Sequence, residues 1–179
     1  MKFLAKLLVA ASFGTVIAGT AAMAQAVNVD FDHSINFIKY KSYTLQKVHA
    51  TDPNVEQAIT IAVDRDLANR YLHPDSKGEL IIAVVEATQD KQEYATFYDG
   101  LGGLAWQRGW GSGFMDTAAT PQDIPTGTLI IDMWDRKTQK LIWRGTITED
   151  QTGSEDKKGE KMDKAVGQLV GQFPPKSKK

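Results

Sequence analysis

Thr128-Leu129-Ile130-Ile131-Asp132-Met133-Trp134, then the polar link Asp135-Arg136-Lys137-Thr138-Gln139, then Leu141-Ile142-Trp143-Arg144-Gly145-Thr146-Ile147-Thr148 is the clearest structural unit of the 179-residue chain. Two runs rich in β-branched and aromatic residues, joined by five polar residues, read as an antiparallel hairpin. Period-two alternation puts Leu129, Ile131 and Met133 on one face of the first strand, and Leu141, Trp143 and Ile147 on one face of the second. Arg144 then points away from Trp143, where it can pair with an acid across the sheet.

Moving outward, Met162, Val166, Leu169 and Phe173 follow at helical spacing, in a helix expected from about Ser154 and stopped by Pro174-Pro175. Upstream, Leu80 to Val85 is a short apolar run that suggests a strand covered on both faces, with Glu93 to Tyr98 as its expected hairpin partner. Asp52-Pro53 pairs an N-cap with a first-turn proline. It opens a helix whose Val55, Ile59, Val63 and Leu67 make one stripe, and which is expected to run to Pro74. Val27 to Asp32 alternates as a strand, and Ser42 to Leu45 supplies a short second one. The expected order is strand, strand, helix, four strands, helix. Two one-sided helices need one apolar surface. The fold class expected is therefore α+β: one mostly antiparallel sheet of five to six strands with both helices packed on one face.

The N-terminus carries Lys2 and Lys6, an apolar run from Leu7 to Ala18, and small residues ending in Ala22-Met23-Ala24 and Ala24-Gln25-Ala26. These are the parts of a secretory signal peptide over residues 1–24, cleaved after Ala24 or Ala26. The apolar run is shorter than the roughly 20 residues a spanning helix requires. The expectation is one domain over 27–175, a basic tail over 176–179 and a periplasmic location, with secretion as the alternative. No stable membrane insertion is expected after cleavage. The whole chain has a net charge of −1, and loss of Lys2 and Lys6 makes the mature chain more acidic. Such a balance excludes a general nucleic-acid binder, which needs a basic face. With no cysteine, the chain has no disulfide, no thiol chemistry and no lipid-modified N-terminal cysteine.

Motifs for catalysis or cofactors do not survive their context. Gly100-Leu101-Gly102-Gly103-Leu104-Ala105 fits G-x-G-x-x-A, but the Gly- and Trp-rich residues after it are poor helix formers. A dinucleotide site needs a helix opening there. Ser112 lacks the glycine two positions before it that a nucleophile elbow requires. His33, His49 and His73 are scattered, and neither Asp30-x-Asp32 nor Asp64-x-Asp66 leads into a calcium loop. No cofactor and no metal is expected. An envelope hydrolase would rest only on abundant Asp and Glu.

The segment from Gly100 to Gly127 stands apart from scaffold. Tyr98, Trp106, Trp110 and Phe114 offer aromatic anchors and Arg108 a fixed charge, and these five are the candidate binding residues. They suit a non-enzymatic module, expected as a monomer, that binds an envelope protein. The alternative is a carrier of a small apolar or amphipathic molecule.

Several of these stretches also resemble a known family. Gly127 to Asp132, Lys140 to Thr146, Lys161 to Val166 and Phe173-Pro174-Pro175 look like the bacterial domain of unknown function 4136. Val29 to Asp32, Lys39 to Tyr43 and Ala62 to Leu67 agree. The resemblance spans nearly the whole mature chain. It implies an envelope protein without established catalytic residues. Many such relatives are lipoproteins, a pattern this cysteine-free chain departs from.

Overall fold

The computed structural model describes residues 27–88, 96–99, 101, 124–148 and 157–174. Six strands form one mixed sheet: β1 (Val27–Phe31), β2 (Ser42–His49), β3 (His73–Pro74), β4 (Leu80–Ala87), β5 (Thr128–Asp135) and β6 (Lys140–Thr148). Their order in space is β1-β6-β5-β4-β2-β3. β2 runs parallel to β3 and β4, and the remaining pairs are antiparallel. Two helices, α1 (Pro53–Ala68) and α2 (Lys158–Val170), lie together on one face, and a 3-10 turn (Phe37–Lys39) precedes β2. The α+β class, the mostly antiparallel sheet and the one-sided helices are as the sequence patterns indicate.

Local chemistry explains the main boundaries. The Asp52 carboxylate accepts from Asn54 N at 2.7 Å, and Pro53 opens α1 with an amide it need not donate. Val55, Ile59, Ala62, Val63 and Leu67 are buried, as are Met162, Ala165, Val166 and Leu169 of α2. These stripes meet Leu80, Ile82 and Val84 of β4, Leu129, Ile131 and Met133 of β5, and Trp143 and Ile147 of β6. A side chain at Gly145 would press on the Trp143 ring and come within 3.0 Å of Leu169 Cδ2, so the bare backbone lets α2 close on the sheet.

Four expectations change. α1 ends at Ala68 rather than Pro74: Arg70, Tyr71 and Leu72 N–H groups turn back onto its last carbonyls, and Tyr71 takes a left-handed φ of 62°. The chain then adds β3, which uses Pro74 at an edge, where the missing donor costs nothing. Residues 96–99 form a helical turn, not a strand, while 93–95 lie outside the described residues. Both flanks of β4 are taken by β5 and β2, so this segment has no ladder to join and packs on the sheet's face instead. Leu141 does not share a face with Trp143. The β5–β6 register slips so that Met133 faces Trp143 and Trp134 faces Leu141. Ile142 is the extra residue of this bulge, and the slip turns Leu141 to the opposite face. Finally, β2 runs to His49, beyond the expected Leu45, with its own register shift between Leu45 and Lys47.

Two buried tyrosines tie strands to distant elements. Tyr40 donates to Asp135 Oδ2 at 2.6 Å, and Tyr43 donates to Asp64 Oδ1 at 2.7 Å. Burial, then the adjacent carboxylate, pushes both phenols well above their ordinary 10.0. The folded state therefore holds these protons more tightly than the unfolded chain. The stabilisation is complete below pH 10 and is lost as pH rises through and beyond it. Melting temperature should fall above pH 10, with a shallower slope in Tyr43→Phe, whose ring has no proton to lose. Identical slopes in the two proteins would refute the assignment.

Candidate functional site

The face of the sheet opposite the helices carries, among the described residues, a buried group of charged and polar side chains. Alternation sends Ile81, Ala83 and Val85 of β4, Ile130, Asp132 and Trp134 of β5, and Leu141 and Arg144 of β6 to this side. Asp132 and Arg144 are direct cross-strand partners. The guanidinium meets the carboxylate in a two-point contact, Nε to Oδ1 and Nη2 to Oδ2. Tyr98 supplies a third bond, donating its hydroxyl to Asp132 Oδ2 at 2.7 Å. The Arg144 guanidinium lies 5.9 Å from the Tyr98 ring centroid.

Burial decides how to weigh this group. Asp132 is 0% exposed and Arg144 is 7% exposed. A charge pair so desolvated gains little net stability over apolar residues of the same shape, but each half is costly to leave alone. The strand pattern therefore retains it for geometry: it fixes β5 against β6 and offers a charged acceptor to the segment above. Lys47 Nζ sits 4.6 Å from the centroid of the Phe97 ring, and Phe97 meets Tyr98 edge-on at 5.1 Å. Leu101 and Ile124 complete the apolar cluster. The chain thus leaves β4, is fastened to this face at residues 97, 98 and 101, and is fastened again at Ile124 before entering β5.

Of the five residues singled out from sequence, Tyr98 is therefore buried and bonded to the sheet. Trp106, Arg108, Trp110 and Phe114 lie outside the described residues. Phe97, Asp132 and Arg144 were not among the candidates as a group. The signal for them was present: β4 and β5 are apolar at successive positions, which demands cover on both faces, and Asp132 interrupts that run at the same level as Arg144. Among the described residues, no group of three or more His, Asp and Glu side chains could hold a metal ion. No helix among them is long and apolar enough to cross a membrane.

Comparison with known proteins gives a fold and a family. No curated protein matches the chain. Among solved structures it is similar to a PDZ domain protein from Parabacteroides distasonis ATCC 8503, with a TM-score of 0.51 and 12% identity over 84% of this chain. The chain spans only 35% of that protein, and the likeness is one of fold alone. A PelC dodecamer from Paraburkholderia phytofirmans gives a TM-score of 0.45 and 6% identity, covering 82% of this chain and 94% of that one. Over residues 27–175 the chain matches the model described as Domain of unknown function (DUF4136), which covers the whole sheet and both helices, and it belongs to that family.

Proposed function

We propose that this chain is exported through its N-terminal segment and works in the periplasm as a non-enzymatic binding or interaction module of the cell envelope. One observation carries the binding half of the reading. Both ends of the Gly- and Trp-rich stretch are fastened to the second sheet face, by Phe97, Tyr98 and Leu101 before it and Ile124 after it. A stretch held at both ends loses less freedom on binding than a free one, which favours its use as a recognition element. Its sequence supplies Trp106, Trp110 and Phe114 as apolar anchors and Arg108 as a charged one.

A photo-reactive phenylalanine at position 106 or 110, compared with one at the exposed Ile61 of α1, tests this in exporting cells. Adducts of one discrete mass from 106 and 110, and none from 61, are expected. Equal labelling at all three positions would remove the reading. Export is checked separately by fractionation: the mature protein should begin at Gln25 or Val27, and a full-length chain beginning at Met1 in the cytoplasm would refute it.

The second reading, a carrier of a small apolar molecule, is favoured by the apolar cluster that Ile81, Val85, Ile130, Trp134 and Leu141 form with Phe97, Tyr98, Leu101 and Ile124. Native mass spectrometry of protein released gently from the periplasm separates the two. A discrete added mass below about a kilodalton, the range of pocket-sized ligands, selects the carrier.

A further inference from the structure

We infer that the end of the sheet where β2 and β4 begin and the β5–β6 turn lies is a docking surface for an anionic phospholipid bilayer. The residues that form this surface are none of those on which the reading above rests. Five lysines converge there, Lys39, Lys41, Lys77, Lys137 and Lys140, and all are exposed. Contacts between neighbouring backbone positions place them together. Lys41 O accepts from His73 N, and Lys41 N donates to Glu79 Oε2 at 2.7 Å. Arg136 N donates to Glu79 O, and Arg136 Nε to Gly78 O.

The acids at this end are largely committed locally. Asp135 is buried, accepting from Tyr40 and from Thr138 N and pairing with Lys39 Nζ at 3.6 Å. Asp75 caps the Lys77 amide at 2.8 Å, and Asp32 binds Ser34. Lys39 turns its ammonium onto Asp135 and the Tyr40 ring; those of Lys41, Lys77, Lys137 and Lys140, on long stems at exposed positions, are the charges that reach outward, which is the complement of a surface of phosphate headgroups.

Two apolar side chains choose a lipid surface over a soluble polyanion. Ile38 is 72% exposed and Tyr71 is 88% exposed. Both border the end of α2: Phe37 packs edge-on against Phe173 at 5.6 Å, and the Arg70 guanidinium donates to Gly171 O at 2.7 Å. Tyr71 occupies a left-handed backbone position just past a helix, where glycine or asparagine fits without strain. Folding alone gives no reason to place a tyrosine there with its ring in solvent. An aromatic ring beside an exposed isoleucine and a fringe of lysines is the composition of a side that rests at a bilayer interface.

Sedimentation of the full mature chain with vesicles tests the inference, using phosphatidylglycerol mixed into phosphatidylcholine against phosphatidylcholine alone. Binding to the anionic vesicles only, weakening as salt is raised, is expected. Lys41→Glu with Lys137→Glu should lower it at least fivefold. Tyr71→Gly should raise or preserve the melting temperature while lowering vesicle binding severalfold, a divergence that a purely structural role for Tyr71 would not produce. Ile38→Ser provides the same test at a site free of backbone strain. Equal binding to both vesicle types overturns the inference. So does binding that is unchanged in the Ile38 and Tyr71 variants, including the case where heparin competes fully, which would mark a surface for an acidic polymer.

Discussion

Asp132→Ala should destabilise the fold by about 3–5 kcal/mol, the usual cost of stranding one half of a buried ion pair. Arg144 would lose its two-point acceptor while held between β5 and β6, and Tyr98 would lose the acceptor that ties it to the sheet. Tyr98→Phe should cost less, about 1.5 kcal/mol, because Asp132 keeps both bonds from Arg144. The informative companion is Asp132→Leu combined with Arg144→Met. Apolar residues of similar volume remove both charges together, and stability should return to within about 1 kcal/mol of the parent or exceed it. Urea unfolding of the three variants measures all of this. An Asp132→Ala protein as stable as the parent would mean that the pair is wetter than its burial indicates.

Trp143→Ala should cost about 3–5 kcal/mol by opening a cavity at the point where β6, α2 and Phe173 converge. The ring is 0% exposed and meets Phe173 edge-on at 6.0 Å, and Phe173 in turn meets Phe37. The loss should therefore loosen the 3-10 turn at Phe37 as well as α2. Trp143→Phe should recover more than half of it, because the indole N–H has no hydrogen-bond partner among the described residues and its removal breaks no bond. Gly145→Ala attacks the same contact from the other side and should cost about 1–3 kcal/mol through overpacking. Thermal melts of the set check the ranking, and a Trp143→Phe protein as unstable as Trp143→Ala would contradict it.

These two sites also show what could be read from residue order. Trp143 as an inward packing residue, Arg144 pointing away from it and paired with a cross-strand acid, and the stripes of both helices all follow from period two and period 3.6. What alternation could not locate was a break in alternation. The bulge at Ile142 depends on how β6 meets β5, a relation between strands that neither strand's sequence contains. The same holds for residues 96–99. Their composition suits a strand, yet whether β4 has an open edge depends on β2 reaching it in parallel through α1. In the candidate site, Tyr98 was legible as an aromatic worth noting. Its bond to Asp132 was not, because that contact joins positions 34 residues apart across two layers.

β1 lies at one edge of the sheet, and among the described residues its only ladder partner is β6. The strand that leads the domain therefore has no neighbour to zip onto until nearly the whole domain has been made, whereas β5 and β6 can close on each other at once. In time rather than space, β1 is a late arrival despite being first in line, since pairing across so long a loop waits on everything between. In a chain made N-terminus first, this order leaves the leading strand unpaired while the rest follows. Moving β1 to follow β6 in a circular permutant should speed folding without changing the final sheet.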